Sequence, residues 1–152
     1  SFMSIINGMA HLALSVSNFE DSKKFYKELL PYLGLKLVFD GEESVYHVGG
    51  RTALLIQKCD KEYTGDKFKQ GTIGLHHLCF RARSKEDVDL VAKKLLNMGA
   101  FIDRGPLEGP WVKGYYYIVF EDPDGIRLEV NYVPGAGVLD KNNNFNPGKD
   151  YQ

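Results

Sequence analysis

The chain has 152 residues, 43% of them hydrophobic and 26% charged, with a formal net charge of −1. That balance describes a folded globular domain and excludes the concentrated basic surface by which proteins bind nucleic acid. No apolar run is long enough to span a membrane, and Cys59 and Cys79, the only cysteines, make no disulfide framework.

At the N-terminus no basic segment leads into a long apolar one, so no secretory signal is expected. Met3, after Ser1-Phe2, reads as the natural start, and a reducing cytoplasm as the expected compartment. From Gly8 to Val16 the residues alternate as in a strand. Leu12, Leu14 and Val16 share one face; His11, Ala13 and Ser15 share the other. Asn18 then caps a helix, with Asp21 in the capping-box position. Phe19, Phe25, Tyr26, Leu29, Leu30 and Leu33 form its apolar stripe, and Gly34 closes it. Short strands are predicted at 35–39, 44–48 and 51–57.

The same plan restarts at Gly74, which places His77 on His11. Ser84 caps the second helix, and in both halves the cap follows the histidine by seven residues. Val88, Val91, Ala92, Leu95 and Leu96 form the stripe, and Gly99 ends it. Strands are predicted at 101–103, 114–121 and 126–132. A repeated βαβββ unit is a much sharper signal than either half alone. The expected architecture is α+β, a single domain over 1–152. It comprises a first module at 8–58, a polar linker at 59–73, a second module at 74–133 and an irregular tail at 134–152.

Side-chain parity selects the candidate site. Asp122-Pro123-Asp124-Gly125 is a tight-turn sequence, after which Leu128, Val130 and Tyr132 face one way and Arg127, Glu129 and Asn131 the other. Alone, Glu129 reads as a solvated carboxylate on a half-exposed strand, and a lone strand histidine as structural. Histidines at equivalent points of a repeat, with a carboxylate late in the second half, carry more weight. If the two sheets curl around one cleft, His11, His77 and Glu129 converge as two imidazoles and a carboxylate. That set holds a divalent transition metal and leaves positions open for substrate. Such donors suit Fe, Mn, Ni or Zn. His76 has the opposite parity and is expected in the helix-packing layer, as a core histidine or a support for a ligand. Ile118 and Phe120 suit the core, which turns Tyr115 and Tyr117 toward the cleft as candidate proton donors; aromatic packing is the competing role. Trp111 is a candidate cleft wall, and Arg127 and Arg81, with Lys113, candidate substrate-binding cations. Tyr46, His47 and Arg51 are weaker candidates from the first half.

The repeat, the His-Leu-x-Leu strand and the Asp-Pro-Asp-Gly-x-x-x-Glu ending together resemble the vicinal oxygen chelate superfamily over about residues 8 to 132. That group includes glyoxalases, fosfomycin- and bleomycin-resistance proteins and extradiol dioxygenases. The resemblance implies paired modules forming a U-shaped mixed sheet around one metal, with His11, His77 and Glu129 as ligands and a substrate that chelates the ion through adjacent oxygens. It also implies a homodimer, with the cleft built within one chain or across two.

Three departures blur the subfamily. Aligning Gly50 with Gly125 puts Leu54 where glyoxalase I carries a fourth ligand, and the Gln and Glu of methylmalonyl-CoA epimerase are likewise missing. Val119 stands where extradiol dioxygenases have a Tyr, and 111–113 offers no His. Fosfomycin-modifying enzymes also favour Tyr at the Val119 position. The match is nearest a bacterial branch related to dioxygenases and glyoxalases. Two functions follow as expectations. One is a metal-dependent lyase, isomerase or dioxygenase-related enzyme acting on a small metabolite. The other is a metal-free protein that sequesters a ligand, as bleomycin-resistance proteins do.

Overall fold

The structure is a computed structural model that describes residues 4–148. Met3 and the last four residues of the tail lie outside the described residues. The chain divides into two compact units, Ser1–Phe68 and Lys69–Gln152, and the division falls inside the stretch read as a linker.

In the first unit, β1 (Leu12–Val16) leads into α1 (Phe19–Leu33), then β2 (Lys36–Asp40), β3 (Ser44–Gly49) and β4 (Thr52–Lys58). The sheet order is β1-β4-β3-β2, with β1 parallel to β4 and the other neighbours antiparallel. Asn18 caps α1 as its sequence dictates: its Oδ1 accepts from the Asp21 N–H at 3.3 Å, and its amide donates to the Asp21 carboxylate at 2.9 Å. Gly34 ends the helix at φ 101°, a conformation that a side chain would strain. Phe19, Tyr26, Leu29 and Leu30 of the helix bury against Leu14, Val16, Val45 and Ile56 of the sheet. Each such side chain contributes about 1.5–3 kcal/mol relative to exposure.

The second unit repeats the plan: β5 (Leu78–Arg81), α2 (Lys85–Met98), β6 (Phe101–Glu108), β7 (Tyr116–Glu121) and β8 (Arg127–Tyr132), in the sheet order β5-β8-β7-β6. Ser84 Oγ accepts from Asp87 N–H at 3.1 Å. Val88, Val91, Ala92 and Leu95 bury with Ile118, Phe120, Leu128 and Val130. Tyr116 donates to Asp89 of α2 at 2.6 Å, which puts Tyr116, Ile118 and Phe120 on the helix side of the sheet. Glu129 therefore belongs to the opposite face, as its parity requires. Among the described residues, no helix is long and apolar enough to cross a membrane.

Four details differ from the sequence reading. Both first strands are shorter than predicted, so His11 and His77 immediately precede β1 and β5. Leu96 is exposed, the stripe on α2 being narrower than the apolar pattern. Strand β6 continues through Gly105-Pro106 to Glu108, with breaks in its register opposite β7 between Ile102 and Arg104 and between Arg104 and Leu107. Short 3₁₀ turns occupy Lys61–Tyr63 of the linker and Gly137–Leu139 of the tail.

Candidate metal centre

The turn before β8 is pinned by a side chain. The buried Asp122 carboxylate accepts from Asp124 N–H at 2.8 Å and Ile126 N–H at 2.9 Å, while Gly125 takes φ 87° and donates back to Asp122 O. This fixes β8 against its neighbours: Glu129 lies opposite Val119 on one side and Cys79 on the other. The Glu129 carboxylate, which its strand alone would leave solvated, is 1% exposed. Burying a carboxylate is costly unless it is hydrogen-bonded or paired. Two groups meet that need: the Tyr115 hydroxyl donates to Glu129 Oε2, and His77 Nε2 lies 3.4 Å from Glu129 Oε1.

His77 has a second contact. Its Nδ1 lies 2.9 Å from Nδ1 of His76, so one ring donates and the other accepts. His76 is exposed rather than packed under the helix, because it sits before β5 begins, where strand alternation does not apply. Desolvation, with the neighbouring His77 and Arg127, holds its imidazole below the usual range.

Tyr115 is the phenol at this carboxylate. Burial first, then the Glu129 hydrogen bond and charge, push its pKa well above the ordinary range, so it keeps its proton. Tyr117 is buried at 3% exposure, and its phenol bonds Arg104. Trp111 is also buried; its ring lies 4.9 Å from that of Tyr115 and 5.2 Å from that of Tyr117, edge to face. Trp111 therefore buttresses the two tyrosines rather than offering an open wall. Cys79 reaches solvent yet is crowded by protein. That crowding and the Glu129 charge beside it push its thiol up, out of the reactive range. Arg81 lies opposite Asn131, and Arg127 opposite Glu121, on strand positions that alternate with the helix-facing ones. Lys113 is exposed in the loop before β7.

In the first unit, His11 lies next to Tyr46, with ring centroids 6.4 Å apart. His47 is buried in the core rather than presented to a ligand, and Arg51 is an exposed turn residue at φ 63°. The strand registers correct one alignment. Leu12 pairs with Leu54 as Leu78 pairs with Leu128, so the counterpart of Glu129 is Leu55, not Leu54. The Gly49-Gly50 turn is shorter than Asp-Pro-Asp-Gly, which displaces a glycine-to-glycine alignment by one. The first unit has no carboxylate at this position either way.

The donors at Glu129 fit a divalent ion. An imidazole nitrogen and a carboxylate oxygen 3.4 Å apart span the distance between two ligands of one ion bound at about 2.0–2.2 Å. Among the described residues no group of three or more His, Cys, Asp or Glu side chains is gathered for one ion. In the second unit His77 and Glu129 are the pair of candidate donors that stand together. Sequence reasoning missed Arg104 and Asn131 as neighbours of the tyrosines, although Asn131 shares the parity of Glu129.

The profile of the Glyoxalase/Bleomycin resistance protein/Dioxygenase superfamily matches residues 8–130. The chain belongs to this superfamily. It is 32% identical over 125 residues to YqjT of Bacillus subtilis strain 168, covering 80% of this chain and 96% of that one. It is 30% identical over 127 residues to the metallothiol transferase FosB of Shouchella clausii, covering 84% and 81%. Among solved structures, a glyoxalase-like protein of Bacillus halodurans superposes with a TM-score of 0.73 at 30% identity, over 82% of this chain and 94% of its own. The tandem βαβββ architecture is the one expected of this superfamily.

Proposed function

We propose that this superfamily member is a divalent-metal-dependent enzyme acting on a small metabolite that chelates the ion through adjacent oxygens. The observation that carries the reading is the buried Glu129 carboxylate, with His77 Nε2 3.4 Å from one oxygen and the Tyr115 hydroxyl on the other. His11, the repeat counterpart of His77, is proposed as the third ligand on the strength of that equivalence. A relative named as a metallothiol transferase supports metal dependence.

A bound divalent ion supplies Lewis-acid polarisation of a chelated carbonyl or enediolate oxygen. Glu129 and His77 hold the ion's place from one face of the second sheet. Tyr115 keeps its proton and donates it to Glu129 Oε2, so in this arrangement it orients the carboxylate; it serves as an acid toward a substrate oxygen only by turning that hydrogen away from Glu129, and not as a base. Tyr117, tied to Arg104, and Trp111 hold the Tyr115 ring in place. Arg81 and Arg127 are proposed to meet the charge of an anionic substrate.

Metal analysis of protein purified without chelator, followed by titration with acetohydroxamate as a vicinal-oxygen probe, tests this reading. The expected result is about one ion per chain and probe binding only to the metal-loaded form. Protein that takes up no ion, yet binds apolar ligands, would replace this reading with the sequestering one.

A further inference from the structure

His76 and His77 stand together at the entrance to β5, and their contact uses particular atoms. Nδ1 of His77 lies 2.9 Å from Nδ1 of His76, with the two rings edge to face at 79°. The other nitrogen of His77, Nε2, faces Glu129 Oε1 at 3.4 Å. The His76 main chain is held from upstream, where Gln70 Nε2 donates to His76 O at 2.8 Å. The repeat supplies an internal comparison. Aligning His77 with His11 puts His76 on Ala10, and the first unit enters β1 with that alanine. An imidazole at this position is therefore not a requirement of the fold. His76 is also exposed, so its ring lies outside the core.

Resting on the metal reading proposed above, we infer that His76 is a positioning residue: its Nδ1 accepts the hydrogen of His77 Nδ1 and so reserves His77 Nε2 for the ion. A neutral imidazole carries one hydrogen, on either of its two nitrogens. A ring that ligates through Nε2 carries it on Nδ1, and an acceptor there fixes both the tautomer and the ring orientation. Backbone carbonyls, carboxylates and waters commonly fill that role. Here the acceptor is a second imidazole, which takes the hydrogen at Nδ1 when its own sits on Nε2. Turning the His77 ring over would give up the contact, so the bond that selects the tautomer also keeps Nε2 beside Glu129. His76 thus acts through His77 without touching the ion, and Ala10 offers His11 no such partner.

Two readouts test this. Long-range ¹H–¹⁵N spectra of protein with ¹⁵N-labelled imidazoles report which ring nitrogen carries the hydrogen. In Zn²⁺-loaded protein His77 should carry it on Nδ1 and His76 on Nε2. In metal-free protein His76→Ala should shift the His77 Nδ1 resonance, since the contact is present before any ion. Zn²⁺ affinity gives the second readout. His76→Ala should lose about tenfold, at the lower end for residues that orient metal ligands, while His76→Asn, whose side-chain oxygen accepts from about the place of Nδ1, should stay within about threefold of the parent. A loaded His77 with its hydrogen on Nε2 overturns the proposal, and so does His76→Asn binding as weakly as His76→Ala. An unchanged His77 resonance or an unchanged affinity in His76→Ala overturns it as well. A parent that takes up no Zn²⁺ while His76→Ala shifts the resonance overturns the metal reading instead, and leaves His76 as the hydrogen-bond partner that orients the His77 ring.

Discussion

His47 and Glu129 are both fully buried polar side chains on sheet strands, and the difference between them separates structure from chemistry. Glu129 has a hydrogen-bond donor on one oxygen and an imidazole beside the other. His47, on β3 beneath α1, has neither ring nitrogen paired, and Ser22 Oγ of α1 is likewise unpaired. Burial, and secondarily Lys27, lower the His47 pKa below its ordinary 6.5. The unfolded chain therefore binds a proton that the folded chain refuses, and stability falls as pH drops below about 6.5. His47→Leu should remove that part of the acid sensitivity. At neutral pH it should be neutral or stabilising by up to about 1–3 kcal/mol, the cost of unpaired buried polar groups. Urea unfolding at pH 7 and pH 5 measures both. An unchanged pH dependence would show that His47 is not the group responsible.

At the scale of elements, the turn into β8 decides where Glu129 points. Asp122 closes it through two backbone N–H groups, and its loss leaves both unpaired in a buried site. Asp122→Ala should cost about 1–3 kcal/mol of stability by chemical denaturation and weaken metal binding through the misplaced strand. Stability lost without any change in metal affinity would mean that β8 keeps its register without the turn. The Asp-Pro-Asp-Gly sequence made this turn legible, as the Asn18 and Ser84 caps made both helices legible, because each motif satisfies backbone groups locally. The burial of Glu129 was not legible. It depends on Tyr115, which reaches over the carboxylate from just before β7, and no periodicity reports contacts between strands. His76 was misplaced for a related reason: parity holds only within a paired strand, and pairing here begins at Leu78.

At the scale of the molecule, each unit ends its sheet on the strand that follows its histidine, β1 in one and β5 in the other. Large apolar side chains are left in water just upstream: Ile5, Ile6 and Met9 before β1, and Ile73 before β5. Exposed apolar surface beside open strand edges favours association, and a homodimer is the expected assembly. Light scattering should give about twice the 17.2 kDa chain mass, and a single species at the chain mass would exclude it. Family membership and topology were legible from the repeat itself, since the motifs recur at matching spacing in both halves. The substrate was not, because the chain lacks the side chains that mark the characterised branches at Leu55 and Val119.

The central claim is that Glu129 and His77 hold a metal ion, and side-by-side Zn²⁺ titration of four proteins tests it most directly. The parent should bind one ion per chain. Glu129→Ala and His77→Ala should lose binding, the first most severely because it removes the anionic ligand. His76→Ala should retain binding within about 10- to 100-fold, as expected for a residue that orients a ligand rather than touching the ion. Binding abolished by His76→Ala but preserved in His77→Ala, or unaffected by Glu129→Ala, would contradict the account.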